Sequence, residues 1–444
     1  MKVIVVGCTH AGTATVVNLK KEYKDAEITI YERNDNISFL SCGIALHVGG
    51  VVKALEDMFY SSPDALGTLG VKTNMKHDVL DIDFDNKKVK VKNLETNEEF
   101  YDNYDKLVLT IGSWPIVPKF EGGDLDNILL CKNYNHAKEV VRRGKDAKSV
   151  VIIGAGYIGV ELAEAFEVLG KDVTLIDAEE RIMPKYLDKE FTDIAEAEFK
   201  NHGINLALGE RVSRFEGKDG KVTKVVTDKG THNGDLVILC IGFAPATALV
   251  KGKLDTLSNG AIIIDEYMRT SKEDVFAAGD CCVVKYNPTG EDRYIPLATN
   301  AVRMGTLVAK NIKEPKLKYM GTQGTSGIKI YDQCIASTGL TEEGAALVPG
   351  LNIGVSVLKD DYRADFMPTT EKAMVKIVFD KDTRRVLGGQ IISKEDLTQF
   401  MNTLSVVIQN KMTVEELAMT DFFFQPHFNK PWSLLNAVAL EVLK

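Results

Sequence analysis

The sequence of 444 residues lacks the marks of two large protein classes. It contains no run of 18 apolar residues, the length that a membrane-spanning helix needs, so we expect no membrane partner. Basic residues are not in excess either, because 54 lysines and arginines face 63 acidic residues, for a net charge of -9. A nucleic-acid surface needs a basic patch that neutralises phosphates, so we expect no nucleic-acid partner. No basic and apolar leader precedes the first strand pattern, so we expect no signal peptide.

Cysteine is scarce as well. The seven cysteines are odd in number, and no two of them form a C-x-x-C pair with metal-ligand spacing. We therefore expect no disulfide framework and no metal site, and a reducing cytoplasm as the location. The seven are Cys8, Cys42, Cys131, Cys240, Cys281, Cys282 and Cys334.

The segment Ser38 to His47 contains one cysteine, Cys42, and lacks a second. A C-x4-C redox pair would place its other sulfur at position 47, where the sequence has His47. No local disulfide can form, but such a thiol can cycle between thiolate and sulfenic acid, with peroxide or oxygen as the oxidant. We expect the helix that follows to lower the pKa of Cys42 through its N-terminal dipole. Taken alone, an inert buried cysteine is the simpler interpretation.

What the sequence does contain is two nucleotide-binding patterns, the first at its N-terminus. Val3 to Val6 predicts a strand, and Gly7 to Gly12 leads into a helix. The next strand pattern, Ile28 to Tyr31, ends at the acid Glu32. This is the layout of a dinucleotide-binding βαβ unit. It departs from G-x-G-x-x-G at Thr9, where a glycine would let the backbone approach the pyrophosphate.

The second pattern is complete. The strand Ser149 to Ile153 is followed by a full G-x-G-x-x-G from Gly154 to Gly159, a helix through Leu169 and a strand, Val173 to Ile176, that ends at Asp177. A glycine motif framed by strand, helix, strand and acid at this spacing is specific for a dinucleotide.

The charged residues at 177–181, after the second motif, bear on the choice between NADH and NADPH. Asp177 is expected to accept hydrogen bonds from the adenosine ribose. Glu179 and Glu180 would repel a 2′-phosphate, which favours NADH, whereas Arg181 keeps NADPH possible.

Two nucleotides in one chain imply a hydride donor and a bound redox acceptor, for which a flavin is the obvious choice. The strand Val275 to Ala277 leads to Gly279 and Asp280, whose carboxylate can hold ribityl hydroxyls. The following segment, Pro296 to Ala301, opens a helix whose N-terminus can stabilise negative charge on a reduced flavin.

These elements predict an α/β protein with two Rossmann-like dinucleotide-binding domains and a C-terminal α+β domain. The flavin domain is expected at residues 1–115 and 246–318, the nicotinamide domain at 116–245, and the last domain at 319–444. In the last domain we expect strands at 329–331, 373–379 and 386–392, and helices at 397–409 and 414–419. The aromatic segment 421–428 is either core or a subunit interface.

The motifs resemble the single-cysteine branch of the pyridine nucleotide–disulfide oxidoreductases, which includes NADH oxidases, NADH peroxidases and coenzyme A-disulfide reductases. The resemblance spans essentially the whole chain. It implies FAD, a glutathione-reductase-like fold, and a homodimer or dimer of dimers formed through the C-terminal domain. The segments that carry it are Gly7 to Gly12, Ser38 to Gly43, Thr110 to Gly112, Gly154 to Gly159, Ala278 to Asp280, Leu297 to Asn300 and Phe423 to Pro431.

Within this branch, Thr9 to Gly12, Asn300 to Arg303 and Pro426 to Phe428 look like the water-forming NADH oxidases of lactic acid bacteria. The implied net reaction is 2 NADH + O2 + 2 H⁺ to 2 NAD⁺ + 2 H2O. Three alternatives stay open: an NADH peroxidase that takes H2O2, a coenzyme A-disulfide reductase, and a flavin redox sensor.

The resemblance also implies the site residues. Cys42 would be the peroxide-reducing thiolate, and His10 the acid–base group, although a packing histidine is the simpler interpretation of that turn. FAD contacts are expected from Gly7, Thr9, Ala11, Gly12, Glu32, Ser41, Cys42, Thr110, Gly112, Lys132, Asp280, Leu297, Ala298 and Thr299. NADH contacts are expected from Gly154, Gly156, Tyr157, Ile158, Gly159, Glu161, Asp177, Tyr186, Gly242 and Gly327.

Overall fold

A computed structural model describes residues 1–444. The first sheet has five parallel strands, and its strand Lys2–Val6 lies at the centre. Val3 of this strand lies opposite Ile28 of the neighbouring strand. Its interior strands are mostly apolar and buried. They share one core with apolar residues of the helices His10–Glu22 and Ala298–Asn311 and of the antiparallel strands His77–Asp83 and Lys88–Asn93. In spatial order the strands are Val275–Ala277, Lys106–Leu109, Lys2–Val6, Glu27–Glu32 and Val71–Met75.

The second sheet repeats this arrangement, with five parallel strands around a central strand, Ser149–Ile153. In spatial order its strands are Asn205–Leu208, Asp172–Asp177, Ser149–Ile153, Leu236–Leu239 and Ile128–Leu130. The helix after the central strand is His10–Glu22 in the first sheet and Tyr157–Val168 in the second, and we call them the first and second motif helices. Both predicted βαβ units are therefore present, and the second motif helix ends one residue before the expected Leu169.

We call the parts of the chain built on the first and second parallel sheets the first half and the second half. Short antiparallel sheets complete both halves. The strand Ser113–Pro115 pairs with Phe243–Pro245 where the chain leaves and re-enters the first half. The other small sheets are His77–Asp83 with Lys88–Asn93 and Glu99–Asn103, Val212–Lys218 with Lys221–Thr227 and Thr231–Asn233, and Val284–Tyr286 with Glu291–Arg293. The remaining helices before residue 350 are Ile44–Val48, Pro63–Thr68, Tyr134–Asp146, Lys189–Asn201, Ala298–Asn311 and Glu342–Ala346.

The C-terminal part is one antiparallel sheet of five strands covered by helices. It contains two strands, Gln333–Gly339 and Ile353–Asp361, that the sequence analysis did not predict. In spatial order the strands are Ser326–Ile330, Gln333–Gly339, Val386–Ser393, Lys372–Asp380 and Ile353–Asp361, and the helices are Phe400–Gln409, Val414–Ala418 and Leu434–Leu440. No helix in the structure combines the length and apolar character that crossing a bilayer requires.

The aromatic segment near the C-terminus lies on the surface. Phe423, Phe424 and Phe428 are 70%, 48% and 63% exposed, and Trp432 beside them is also exposed. Of the two alternatives for this segment, a position in the core therefore does not hold for these three rings. A cluster of large exposed apolar side chains is typical of an interaction surface.

A buried ion cluster joins the second half to the C-terminal sheet. Lys376 is 1% exposed, and its Nζ lies 3.0 Å from Asp188, 2.7 Å from Glu190 and 2.6 Å from Glu342. The amide of Gln390 donates to the same Asp188 carboxylate. Because a buried charge is costly unless it is paired, this cluster fixes how the C-terminal sheet sits against the end of the second half.

Candidate active site

A cavity of about 1010 Å³ runs between the carboxyl ends of the two parallel sheets. This is where α/β sheets place their ligands. It is lined by 20 of the predicted site residues and by His10. From the FAD set these are Gly7, Thr9, Ala11, Glu32, Ser41, Cys42, Thr110, Gly112, Lys132, Asp280, Leu297, Ala298 and Thr299; from the NADH set, Gly156, Tyr157, Ile158, Glu161, Tyr186, Gly242 and Gly327.

Four predicted residues do not line the cavity, and three of them are glycines at close backbone contacts. A Cβ at Gly12 would overlap the carbonyl oxygen of Gly7, and one at Gly159 would overlap that of Gly154. These glycines let each motif helix pack against its strand. The fourth residue is Asp177, which lies at the end of its strand.

The carboxylate of Glu32 is buried at the end of the second strand. It accepts a hydrogen bond from the amide of Cys8 at 2.8 Å and two from Asn34, at 2.9 Å and 2.6 Å. Burial raises the pKa of Glu32, and these hydrogen bonds offset part of that rise. A carboxylate has about four acceptor positions, so one stays available to a ribose hydroxyl.

Asp280 belongs to a polar cluster at the centre of the cavity wall. Its Oδ2 accepts from the hydroxyl of Ser113 at 2.8 Å and lies 3.3 Å from Nζ of Lys132. Lys132 also donates to Ser113 at 3.0 Å and lies over the ring of Phe243. Ser113 and Phe243 were not predicted; both belong to the short paired strands, whose position the sequence does not reveal.

The second motif differs from the first in its middle position. A Cβ at Gly156 would meet no atom within 4 Å, so open space lies beside this glycine. Asp177 accepts hydrogen bonds from the amides of Ala155 and Glu179. It therefore holds the second glycine turn as Glu32 holds the first.

Arg181, which left NADPH possible, is engaged elsewhere. Its guanidinium donates to the carbonyl oxygens of Leu187 and Pro184 and forms an ion pair with Glu343 of the C-terminal part. The side chain is 12% exposed. Its charge is therefore committed to a contact between the second half and the C-terminal part.

Cys42 lies in a short 3-10 turn, Ser41–Gly43, and is exposed to the cavity. The following helix, Ile44–Val48, has only five residues. The expected lowering of the Cys42 pKa is wrong: partial burial of the thiol raises the pKa, and the nearby Glu161 carboxylate raises it further. Nδ1 of His47 donates to the carbonyl oxygen of Val52 at 2.9 Å, and His47 does not line the cavity.

Glu161 projects into the cavity from the second motif helix. Burial raises the pKa of its carboxyl to about 7, and the neighbouring Glu164 adds to the shift. Tyr157, one turn earlier, bonds Ser326 through its hydroxyl at 2.7 Å and packs against Tyr186. Ser326 comes from the C-terminal sheet, so the second half and the C-terminal part of the chain meet here.

His10 is the first residue of the first motif helix and lines the cavity. Burial lowers its pKa, Asp280 opposes that shift, and Lys132 adds to it. Nδ1 lies 3.0 Å from the hydroxyl of Tyr60. Tyr60 was not predicted, because it is far from every motif in the sequence.

The residues present fit a flavin dinucleotide. The first glycine turn is closed by backbone contacts, since a Cβ at Gly7 would stand 2.6 Å from the carbonyl oxygen of Thr110. An acid stands at the ribose position, and the helix Ala298–Asn311 begins at the cavity wall. The cavity volume lies at the upper end of the range for ligand sites, which suits long dinucleotides.

Comparison with known proteins agrees with this geometry. Residues 1–305 match the family model described as pyridine nucleotide-disulphide oxidoreductase, and residues 325–434 match the dimerisation domain of the same family. A protein of Enterococcus faecalis named NADH oxidase is 56% identical, with 100% of each chain covered. One of Streptococcus pyogenes with the same name is 41% identical over 99% of each chain.

Solved structures of oxidases that use nicotinamide nucleotides are also similar to this chain. The water-forming NADH oxidase of Lactobacillus brevis bound to NADH superposes with a TM-score of 0.98 at 53% identity, covering 100% of this chain and 98% of that one. An engineered variant of that enzyme, described as a water-forming NADPH oxidase bound to NADPH, also has a TM-score of 0.98, at 52% identity and the same coverage.

Proposed function

The chain belongs to the pyridine nucleotide-disulphide oxidoreductase family, and we propose that it is an FAD-dependent NADH oxidase that reduces O2 to water. One observation carries this proposal: a single cavity joins both glycine motifs to Cys42, and position 47 holds a histidine instead of a second sulfur. The similarity to NADH oxidases over the full chain supports the same function.

We propose NADH as the physiological donor. Asp177 stands at the ribose position, Glu179 and Glu180 follow it, and Arg181 is paired with Glu343. The segment 177–181 therefore has no unpaired cation that could bind a 2′-phosphate. In the engineered NADPH-bound relative the substituted positions are 159, 177, 178, 179 and 184. This chain has glycine, aspartate, alanine and proline at 159, 177, 178 and 184, the residues that were replaced there.

FAD would be held by the first glycine turn, Glu32, the Asp280 cluster and the start of the helix Ala298–Asn311. When bound, it supplies a ring that accepts hydride from NADH and passes electrons to oxygen or to Cys42. The second glycine turn and Asp177 would orient NADH, with Tyr157 and Glu161 beside its nicotinamide.

Cys42 and His10 would complete the reduction of peroxide to water. The Cys42 thiolate attacks one peroxide oxygen, so an S–O bond forms and the O–O bond breaks. His10 gives a proton to the departing hydroxide: Cys-S⁻ + H2O2 + H⁺ gives Cys-SOH + H2O. The sulfur is oxidised by two electrons and is then reduced again at the expense of a second NADH. Because the pKa of Cys42 is raised in the free chain, we expect the thiolate to need the loaded site.

The test is the amount of NADH consumed per O2. The purified, FAD-loaded enzyme should consume two NADH per O2 and release no peroxide. Cys42→Ser should keep NADH oxidation but consume one NADH per O2 and release H2O2. Cys334→Ser, which removes a thiol outside the cavity, is the matched control and should keep the ratio of two. An enzyme that takes up no oxygen yet reduces added peroxide would be a peroxidase and would contradict the proposal.

We also propose a homodimer in the cytoplasm. The exposed rings Phe423, Phe424 and Phe428 belong to the part of the chain that matches the dimerisation domain. All seven cysteines are free, which suits a reducing compartment. Light scattering of the wild-type protein should give twice the mass of 48.9 kDa, and Phe423→Ser with Phe428→Ser should give the monomer mass.

A further inference from the structure

The proposed reaction consumes protons in a cavity that lies deep between the two halves, so it needs a path for them. His10 lines that cavity, whereas Tyr60 does not. Tyr60 is 43% exposed. The Tyr60 hydroxyl lies 3.0 Å from His10 Nδ1, and the two rings are parallel within 3° with centroids 5.5 Å apart. A solvent-exposed phenol is therefore hydrogen-bonded to a histidine of the cavity wall.

The protonation states define the direction of the hydrogen bond. Burial raises the pKa of Tyr60 to about 12, so the phenol carries its proton at neutral pH. Burial lowers the pKa of His10, opposed by Asp280 and aided by Lys132, which keeps the imidazole neutral. A neutral imidazole has one N–H and one bare nitrogen. If the phenol donates to Nδ1, the proton of His10 is on Nε2.

The segment that carries Tyr60 is tied to the first motif. The amide of Tyr60 donates to the carbonyl of Ser38 at 3.3 Å, and the amide of Ser38 donates to the carbonyl of Cys8 at 3.1 Å. The hydroxyl of Ser38, which is fully buried, lies 2.8 Å from that of Thr13 on the first motif helix. These bonds hold the phenol in place against the histidine.

We propose that Tyr60 and His10 form a proton relay from solvent into the cavity, in which Tyr60 sets the tautomer of His10 and resupplies its proton. The inference rests on the proposed role of His10. When the O–O bond of peroxide breaks, the departing hydroxide takes the Nε2 proton. Nδ1 takes the phenol proton, and the exposed phenol regains a proton from solvent. The imidazole changes tautomer, never becoming an imidazolate, and the net transfer is one proton from solvent to hydroxide.

The first test reads the tautomer directly. FAD-loaded enzyme with ¹⁵N-labelled histidine should show His10 as the Nε2–H tautomer, assigned by its absence in His10→Gln. Tyr60→Phe keeps the ring and removes the hydroxyl, so its His10 signal should become an average of two tautomers. An unchanged His10 spectrum in Tyr60→Phe would overturn the proposal.

The second test uses kinetics. Tyr60→Phe should lower kcat about three- to tenfold, the range expected for one lost hydrogen bond, leave the KM for NADH unchanged and increase peroxide release. Adding Tyr60→Phe to His10→Gln should cause no further loss, because the relay is already broken; losses that multiply would overturn the proposal. Tyr134→Phe is the matched control, since its hydroxyl bonds Glu56 near the same segment.

The two tests separate this inference from the proposed function. A wild-type enzyme that releases one peroxide per NADH would contradict the water-forming reaction, yet the tautomer of His10 would still support or overturn the relay. Conversely, a ratio of two NADH per O2 with an unaffected His10 spectrum in Tyr60→Phe would leave the function intact and remove the relay.

Discussion

The two glycine motifs share one backbone and differ in their side chains. In both, a carboxylate at the end of the next strand accepts from the amide of the residue after the first glycine: Glu32 from Cys8 in the first motif, and Asp177 from Ala155 in the second. The middle position holds Thr9 in one and Gly156, beside open space, in the other. The shared contacts build the turn, so the differing positions are free to decide what each turn does.

The two glycine motifs also differ at their fourth position. It begins the motif helix in both halves, as His10 in the first and Tyr157 in the second. Each side chain reaches the cavity and is held by a hydroxyl from another segment, Tyr60 or Ser326. The same place in the fold therefore presents an imidazole in the first half and a phenol ring in the second.

The largest expected effect comes from making the second motif like the first. Gly156→Thr introduces a Cβ that meets no protein atom within 4 Å, so we expect the fold to tolerate it, but the side chain should occupy space that the NADH pyrophosphate needs. We expect kcat/KM for NADH to fall about 100-fold, with FAD content unchanged. Gly230→Thr, at a turn with equally open surroundings, is the control. An unchanged KM for NADH in Gly156→Thr would show that this position does not face the nucleotide.

A second change tests the acid of the nicotinamide half. Asp177→Ala with Ala178→Arg removes the ribose acceptor and adds a guanidinium that can pair with a 2′-phosphate. The ratio of kcat/KM for NADH to that for NADPH should fall at least tenfold. Removing Asp177 also leaves the Ala155 amide without its partner, so stability should drop by about 1 kcal/mol. A ratio that does not move would place NADH selectivity elsewhere, and Glu179→Gln would be the next variant.

The two motifs were predictable because each is local: strand, glycine turn, helix and acid lie within 35 residues. What escaped prediction is what long-range packing creates. Tyr60 meets His10 only after the segment from Ser38 folds back on the first motif helix, and Lys376 finds its carboxylates across two parts of the chain. The strand Ile353–Asp361 was missed because it is an edge strand with exposed valines, so its apolar pattern is weak.

The Cys42 pKa was mispredicted for a related reason. The sequence showed that a helix follows Cys42, but not that it has five residues, nor that Glu161 approaches from the second motif helix. Residue types and spacing predict backbone contacts well, whereas the charge around a thiol depends on side chains that are more than 100 residues away in the sequence.

Glu161 is an ionisable group that has no counterpart on the first motif helix. Glu161 stands on the second motif helix where Ala14 stands on the first, counted from the first glycine of each motif. Its pKa is about 7 in the folded protein and 4.5 as the ordinary value. The folded state therefore binds more protons between these values, and stability declines as pH rises from 4.5 through 7.

Glu161→Gln should remove this decline. Relative to wild type, the variant should gain about 2 kcal/mol of unfolding free energy on going from pH 5 to pH 8, measured by urea denaturation of the FAD-loaded enzyme. Glu56→Gln is the control of opposite sign: its hydrogen bond with Tyr134 lowers the pKa of the Glu56 carboxyl, so that variant should show no gain. Equal pH dependence in Glu161→Gln and wild type would contradict the assignment.

The smallest effect should come from Tyr157→Phe, the counterpart of Tyr60→Phe in the other half. It removes a neutral hydrogen bond of 2.7 Å to Ser326, worth about 1 kcal/mol, and leaves the ring in the cavity. Because this hydroxyl orients a wall and moves no proton, KM for NADH should rise about threefold while the NADH to O2 ratio stays at two. Ser326→Ala should do the same, and the double variant should be no worse than either. Increased peroxide release in Tyr157→Phe would mean that both halves deliver protons, which would erase the functional difference between the two hydroxyl contacts.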